Sequence, residues 1–333
     1  MPSLYVTEPG ALLEKEAERL FVTKDDTVLL AVPVTRVSQV IVVGSVTVTT
    51  PALNLLLDRN IGLVYLTSGG VYRGRLSADR GKQVELRRRQ YRRADDPEFC
   101  LRLARTIVAG KIRNARTFCM RLETTNQDPV VNRAIEDLRA MLARVAAATT
   151  LAELLGIEGQ AARRYFGALR RLLRPPWTFE RRARRPPPDP VNAIFSLVYT
   201  LLHESCYAAV EAAGLDPLCG FYHQPHYGRA SLALDLVEEF RAIIADSVVF
   251  TLLNKRMLDP RQFVPAPQGR GVHLDHEGWR CVAQQYARRL RTLVRPPGQE
   301  RRISYQKVLE AQAQQLRRVI IGDGVVYAPF PAR

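Results

Sequence analysis

The spacing of the apolar residues changes near residue 80, and this change limits the possible folds more than any other feature of the sequence. Before it, short segments rich in Val, Leu, Ile, Tyr and Thr are separated by turn residues, a pattern that predicts β-strands. These segments cover residues 3–7, 19–23, 27–32, 39–43 and 62–66. Residues 50–58 predict a helix instead, because they open with threonine and proline, which favour the N-cap and the first helical position.

Beyond residue 96 the apolar residues recur every three or four positions, which predicts amphipathic helices. The pattern covers residues 101–112, 135–145, 151–155, 201–213, 232–254 and 279–293. We therefore predict an α+β fold, with a small β-rich domain over residues 1–81 and a larger all-α domain over residues 97–333. The intensely basic residues 82–96 would join them as a linker or a helix start, which either lies on phosphates or is simply solvated.

A segment rich in proline and arginine interrupts the helical part, with the sequence RPPWTFERRARRPPPDP over residues 174–190. Prolines prevent a regular helix there, because each one removes a backbone donor and clashes with the preceding turn. A structureless segment of this length within a compact domain is usually functional or mobile. The sequence leaves open whether it contacts DNA or gates a site.

The charge of the chain favours a polyanionic partner. It has 49 Lys and Arg against 33 Asp and Glu, a formal net charge of +16, and basic side chains that neutralise phosphates release condensed counterions. An arginine-rich proteome is the alternative explanation. The five cysteines form no CxxC pair, the N-terminus lacks the pattern of a signal peptide, and no stretch approaches the roughly 18 apolar residues of a membrane-spanning helix. We expect a soluble, cytoplasmic protein without membrane contact.

The segment LDLVEEF carries the first candidate site residues. Asp235 and Glu238 lie three positions apart and therefore share one face of an apolar helix. Carboxylates beside an apolar face are costly unless their charge is compensated. A metal ion would compensate it, and so would simple salt bridges to Arg229 or Arg241. The segment alone does not decide between them.

Two further segments add candidate ligands. GFYHQPHYGR places His223 in a loop, because Pro225 and the flanking glycines break regular structure; histidine with carboxylates suits Mg²⁺ or Mn²⁺ better than zinc. LLGIEGQAARRYF places Glu158 at a helix junction between two glycines, followed by Arg163 and Arg164, which would suit a phosphate. The alternatives are a hydrogen-bonded surface histidine and a carboxylate that offsets a helix dipole.

Three long segments together resemble the CRISPR-associated spacer-acquisition integrase family. They are GIEGQAARRYF, NAIFSLVYTLLHESCYAAVEAAGLDPLCGFYHQPHYGRASLALDLVEEFR and QKVLEAQAQQLRRVIIGDGVVYAPF, in this order, and the resemblance covers nearly the whole chain. It implies metal ligands at the Glu of a GxEG-type turn, the His of a GFxH-type loop and the acid three residues after the Asp of a LALD-type helix. Here these are Glu158, His223 and Glu238, with Asp235 as a nearby auxiliary acid of the catalytic site.

The resemblance also implies the surroundings and partners of the site. Tyr165 and Asn192 match polar positions that line the family's site, and Arg229 and Arg241 match basic ones. It further implies a homodimer formed largely through the β-rich domain. Two such dimers would bridge a small, dimeric, ferredoxin-like CRISPR-associated protein in a heterohexamer.

These observations predict a metal-dependent DNA integrase and endonuclease that acts on double-stranded and branched DNA. A bound Mg²⁺ or Mn²⁺ would activate a terminal 3′-hydroxyl, polarise the phosphorus that it attacks and stabilise the leaving oxygen. The arginines around residues 163–164 would hold backbone phosphates, which position DNA without specifying its sequence. Two alternatives remain: a structure-selective repair nuclease with the same metal site, and a non-catalytic DNA-binding scaffold whose carboxylates are only salt-bridged.

Overall fold

A β-rich N-terminal region is followed by a largely helical remainder, so the predicted α+β class is confirmed. The structure is a computed structural model that describes residues 3–78, 83–123, 128–183, 186–265 and 271–332. Residue 82 of the predicted basic linker and residues 184–185 of the Pro/Arg segment lie outside this described part.

Twelve strands form among the described residues and are numbered in chain order. Their bounds are β1 Ser3–Val6, β2 Leu12–Glu16, β3 Arg19–Lys24, β4 Thr27–Pro33, β5 Gln39–Val43, β6 Thr47–Val48, β7 Gly62–Leu66, β8 Tyr72–Leu76, β9 Phe263–Pro265, β10 Val272–Leu274, β11 Leu293–Val294 and β12 Ile303–Ser304.

Ten α-helices are described, also numbered in chain order. Their bounds are α1 Thr50–Asp58, α2 Val84–Ala94, α3 Pro97–Leu122, α4 Pro129–Ala147, α5 Leu151–Leu172, α6 Pro190–Ala212, α7 Ser231–Phe240, α8 Ser247–Asn254, α9 His276–Arg291 and α10 Tyr305–Ile321.

The first eight strands form two four-stranded sheets. One has the order β1-β5-β7-β8, in which β1, β5 and β7 run parallel and β8 pairs antiparallel with β7. The other has the order β4-β3-β2-β6, antiparallel except where β6 meets β2. Leu13, Leu20, Val40, Leu56 and Leu63 belong to their shared apolar core and are fully buried. Burial of this alternating apolar set fixes the strand register.

All five predicted strands form, and the predicted helix over residues 50–58 is α1. The sequence reasoning missed β2, β6 and β8. Charged residues interrupt the apolar pattern in LLEKE of β2 and YRGRL of β8, and β6 has only two residues. These strands form because neighbouring strands supply hydrogen-bond partners, which a local pattern does not reveal.

The chain divides into two compact units. The first comprises Met1–Arg80, Ala183–Thr200 and Arg256–Arg291, and the second comprises Gly81–Arg182, Leu201–Lys255 and Thr292–Arg333. The second unit contains Glu158, His223 and Glu238, the three predicted metal ligands. The predicted domain boundaries at residues 81 and 96 stay predictions.

The basic segment that the sequence left open as a linker or helix start is helical from Val84, as α2. The next helix, α3, begins after Asp96, whose side chain accepts hydrogen bonds from the backbone N–H groups of Glu98 and Phe99. Pro97 favours this start, since proline suits the first helical position.

Helix α3 is the central element of the second unit and packs against α4, α5 and α7. Its side chains Leu103, Ile107 and Ile112 are buried in that core. Helix α7 continues through a π-helical segment, Arg241–Asp246, into α8. The predicted continuous helix over residues 232–254 is therefore two α-helices joined by a π-helical segment, a feature frequent at functional sites.

Among the described helices, α6 is long and apolar enough to cross a membrane by composition alone, but 61% of its apolar window is buried inside the protein. This burial is typical of a core helix. The described part of residues 174–189 contains no helix, as its prolines predict.

Candidate functional site

Helix α7 positions two of the predicted acids on one buried face. Asp235 is 1% exposed and Glu238 is 3% exposed. Burial opposes ionisation of Glu238, but the positive charges of Arg241 and Lys111 outweigh it and lower its pKa to about 2. The guanidinium Nη2 of Arg241 lies 3.1 Å from Glu238 Oε1. Glu238 is therefore an ionised carboxylate held by cations in the interior.

Asp235 fixes the loop that carries His223. Its carboxylate accepts backbone N–H groups from Phe221 at 2.7 Å, Tyr222 at 3.1 Å and His223 at 2.8 Å. It also accepts Nδ1–H of the His223 ring at 2.8 Å. Gly220 makes this tight loop possible, because a Cβ there would lie 2.6 Å from the His223 carbonyl oxygen.

These contacts leave Nε2 of His223 as the ring atom that can act as a ligand. Nε2 lies 3.9 Å from Glu238 Oε1. A carboxylate that orients a ligating histidine through its other nitrogen is a frequent arrangement in metal sites. Asp235, predicted as an auxiliary acid of the catalytic site, therefore has the geometry of a residue that positions His223. Its lone pairs are used by the loop.

Glu158 reaches the same place from α5. The sequence placed it at a helix junction, but this expectation is wrong: Glu158 lies inside the continuous helix α5, and neither Gly156 nor Gly159 ends it. Glycine destabilises the interior of a helix only modestly, and the packing of the rest of α5 outweighs this cost. A Cβ at either glycine would meet nothing within 4 Å, so neither position requires glycine for close packing.

Lys111 joins the acids and was missed by the sequence reasoning. It extends from α3, its side chain is 14% exposed, and its ammonium Nζ lies 2.5 Å from Glu238 Oε2. The same Nζ contacts Glu158 Oε1. The only signal in the sequence was a lysine within the mostly apolar pattern of α3, which does not reveal its partners.

The residues present fit a divalent cation in place of this ammonium. Within the described part of the chain, no three His, Cys, Asp or Glu side chains form a ready metal-binding group. Two carboxylates that share one cation nevertheless supply the oxygen ligands that Mg²⁺ and Mn²⁺ prefer, and the imidazole nitrogen beside them is a further donor. Glu238 Oε2 is buried, and its partner is the Lys111 ammonium. A metal ion in that position would replace one cation with another.

Tyr222 is a second residue that the sequence reasoning missed. Its hydroxyl is buried and lacks a hydrogen-bond partner among the described residues. Burial, together with the nearby charges of Glu158 and Glu238, raises the pKa of Tyr222 far above its ordinary value. The hydroxyl therefore remains protonated, and it is a donor next to the acids.

The remaining predicted residues lie in different surroundings. Tyr165 is buried, and its hydroxyl donates to Asp246 Oδ2 at 2.6 Å. Arg229 donates to the Gln224 carbonyl oxygen and so braces the His223 loop. These two positions stabilise the helical unit around the site.

Arg163 and Arg164 are exposed on α5, where Arg164 pairs with Asp137 at 3.1 Å. Asn192 belongs to the first compact unit, where it is fully buried and accepts the backbone N–H of Ala183 at 2.9 Å. The exposed arginines are available to phosphates, and Asn192 holds Ala183 within the Pro/Arg segment.

Comparison with known proteins decides the family. A family model described as CRISPR associated protein Cas1 matches residues 4–288. A protein of Moorella thermoacetica named CRISPR-associated endonuclease Cas1 1 is 34% identical over 99% of this chain and 98% of its own length. The chain belongs to the Cas1 family. The resemblance noted from the sequence motifs is thereby confirmed.

Solved structures share the fold of this Cas1 family member. A casposase bound to integration product superposes with a TM-score of 0.84 at 20% identity, covering 97% of this chain and 91% of that one. A chain from a Cas6-RT-Cas1–Cas2 complex superposes with a TM-score of 0.85 at 24% identity, covering 99% of this chain and 36% of that longer one. At 24% and 20% identity, these superpositions show that the chain shares the fold of both structures.

Proposed function

We propose that this Cas1 family member is a metal-dependent DNA integrase and endonuclease of CRISPR adaptation, which joins 3′-hydroxyl ends of captured DNA to the repeat by transesterification. One observation carries the proposal: Glu158 and Glu238, from two different helices, share the ammonium of Lys111, and Nε2 of His223, from a separate loop, lies 3.9 Å from Glu238 Oε1. The endonuclease name of the Moorella relative and the casposase's bound integration product support the same class of reaction.

Five residues would take part in this chemistry. Glu158, Glu238 and Nε2 of His223 would hold Mg²⁺ or Mn²⁺, which when bound activates the attacking hydroxyl and offsets charge on the phosphate. Asp235 keeps the His223 ring oriented, with Nδ1 protonated and Nε2 available. Arg241 holds Glu238 in its ionised form.

Double-stranded and branched DNA are the proposed substrates. The net charge of +16 supplies sequence-independent affinity for phosphates. Arg163 and Arg164 are exposed on α5, the helix that also carries Glu158, so phosphates bound to them would lie along an element of the site. Contacts of this kind position DNA without specifying its sequence.

We also propose the partners that the family resemblance implied. The β-rich region would form a homodimer, and two dimers would bind a small ferredoxin-like CRISPR-associated protein in a heterohexamer. The Cas1–Cas2 complex among the structural neighbours supports a partner of this kind. The protein would act in the cytoplasm.

The test combines the purified protein and its small partner with labelled 3′-hydroxyl duplex and a supercoiled plasmid that carries the repeat. Reactions contain Mn²⁺, Mg²⁺ or EDTA, and compare wild type with Glu158→Gln and with Glu136→Gln, an exposed glutamate on α4. We expect label in the plasmid only with metal, with a loss of at least about a hundredfold in Glu158→Gln and none in Glu136→Gln.

Each alternative has its own outcome in this assay. Cut branched DNA without any joined product would favour a repair nuclease with the same metal site. DNA binding that is indifferent to EDTA and to Glu158→Gln, without joining or cutting in either metal, would leave a non-catalytic scaffold and contradict the proposal.

A further inference from the structure

The ammonium of Lys111 lies between the two carboxylates that would hold the metal. Its Nζ is 2.5 Å from Glu238 Oε2 and also contacts Glu158 Oε1. Lys111 comes from α3, which carries no predicted ligand, and its side chain is 14% exposed. The contact therefore joins α3, α5 and α7 at one point.

A divalent ion held by both carboxylates would take the position between them that this ammonium fills. Mg²⁺ binds oxygen ligands at about 2.0–2.1 Å with near-octahedral geometry, which leaves no room for an ammonium in contact with the same two atoms. Without any cation, two carboxylates this close would repel each other in a poorly solvated place. Arg241 offsets one negative charge at Glu238. A second cation between the two carboxylates would offset the other, and either Lys111 or a metal ion can take that position, but not both.

We propose that Lys111 is a displaceable internal cation, which holds Glu158 and Glu238 together in the metal-free protein and leaves them when Mg²⁺ or Mn²⁺ binds. The inference rests on the proposed metal site and adds how that site is regulated. Lysine suits such a part, because its charge is compact and its four-carbon stem is flexible.

The displacement makes metal binding weak in the absence of DNA. Metal must break both ion pairs of Lys111, and the released ammonium needs a new anionic partner. A DNA phosphate at the site would supply that partner, so DNA and metal would each strengthen the binding of the other. The pre-formed ion pairs would thereby limit metal binding, and cleavage, to protein that has bound DNA.

The first experiment measures Mn²⁺ affinity of the DNA-free protein by electron paramagnetic resonance at pH 7.5. We expect Lys111→Met to bind Mn²⁺ about tenfold or more tightly than wild type, because no cation has to be displaced. Lys307→Met is the matched control, since Lys307 makes an exposed ion pair with Glu310 on α10. Its Mn²⁺ affinity should equal that of wild type.

Thermal unfolding of the same proteins gives a second readout. Metal-free Lys111→Met should melt at a lower temperature than wild type, because buried Glu238 and part-buried Glu158 lose the cation that they share. Mn²⁺ should raise its melting temperature by more than it raises that of wild type, as tighter binding requires.

A third measurement needs no variant, so it remains informative even if Lys111→Met does not fold. Wild-type protein is treated with an amine-acylating reagent with and without Mn²⁺, and modification of each lysine is quantified by peptide mass spectrometry. Labelling of Lys111 relative to Lys307 should rise with Mn²⁺. Unchanged labelling under conditions where Mn²⁺ is bound would overturn the inference.

The outcomes separate the two proposals. If wild type binds Mn²⁺ and Lys111→Met binds it no more tightly, displacement of Lys111 is wrong while the proposed metal site stands. If neither protein binds Mn²⁺, with or without DNA, the metal site itself is wrong and the inference fails with it.

Discussion

At the scale of single residues, the site depends on two side chains that would not themselves bind metal. Asp235 gives all its acceptor capacity to the loop and the ring of His223. Lys111 places one positive charge between Glu158 and Glu238, and Arg241 adds a second at Glu238. Asp235 therefore orients the predicted ligand His223, and Lys111 changes the charge around Glu158 and Glu238.

The first residue-scale prediction concerns orientation. Asp235→Asn loses a charged acceptor of the His223 ring and of three backbone N–H groups, so His223 should lose its fixed direction. We expect Mn²⁺ affinity to fall by about 10–100-fold, the usual cost of removing such a supporting partner. A Mn²⁺ titration of the DNA-free protein, followed by electron paramagnetic resonance, measures this affinity.

The control for this change is Asp259→Asn, which removes an exposed ion pair with Arg261 and should leave Mn²⁺ affinity unchanged. Equal Mn²⁺ affinity of Asp235→Asn and wild type, in protein that is folded by circular dichroism, would mean that metal binding does not depend on the orientation that Asp235 gives the His223 ring.

At the scale of elements, α3 and α7 are joined by the C-terminal tail, residues 323–332. Asn114 of α3 donates to the carbonyl oxygens of Glu239 and Phe330, each at 2.9 Å. The backbone N–H of Ala332 donates back to Asn114 at 2.7 Å. The helix that carries Lys111 and the helix that carries Glu238 are thereby held in one arrangement.

Glu239 is the acid through which the tail contacts α7. Its Oε2 accepts from Tyr327 Oη at 3.1 Å, from the Phe330 N–H at 3.2 Å and from Gln312 at 3.2 Å. Burial raises the pKa of Glu239 to about 8 despite these hydrogen bonds. At neutral pH the group is therefore mostly protonated in the folded protein, whereas it is ionised after unfolding.

This difference predicts a pH dependence of stability. A carboxyl whose folded pKa lies above its ordinary value favours the fold at low pH, and that contribution is lost as pH rises from about 4.5 through about 8. For one such group the free energy of unfolding falls by up to about 1.4 kcal/mol per pH unit in this window. Glu239→Gln should reduce the slope, because an amide does not ionise.

Urea unfolding of metal-free protein between pH 5 and pH 9 measures this slope. Glu310→Gln, an exposed acid on α10, is the control and should follow wild type. A slope that Glu239→Gln leaves as steep as that of wild type would mean that another group carries the proton.

At the scale of the whole molecule, the β-rich region exposes apolar side chains at the edge of a sheet. Strand β4 is an outer strand of its sheet, and Val28, Leu29 and Leu30 are 55%, 49% and 45% exposed. An exposed apolar edge strand offers unpaired backbone groups and apolar surface to which another chain can bind. These residues are candidates for the proposed homodimer interface.

The corresponding prediction is that Leu29→Glu weakens self-association. A charge in an apolar interface loses solvation without gaining a partner, so we expect the dimer dissociation constant to rise about tenfold or more. Sedimentation velocity over a range of protein concentrations measures it. Val326→Glu changes an 83% exposed apolar residue near the C-terminus and should leave the constant unchanged. A dimer equally stable in both variants would exclude β4 from the interface.

Local patterns in the sequence determined much of the fold. The bounds of β5, β7 and α1 follow from short apolar runs and from a threonine-proline start, which are properties of neighbouring residues. The motifs around Glu158, His223 and Glu238 also identified the candidate ligands, and family membership is shown by the comparisons. The metal that they would bind stays a proposal.

Only the tertiary structure decided how those residues are held. Lys111 meets Glu158 across 47 positions of the sequence, and Glu239 meets Tyr327 across 88. Contacts over such distances depend on how α3, α5, α7 and the tail pack, and no local spacing encodes them. The sequence predicted Asp235 only as an auxiliary acid, because a local pattern does not show which groups its carboxylate contacts. Its hydrogen bonds to the His223 loop exist only once the loop folds back onto α7.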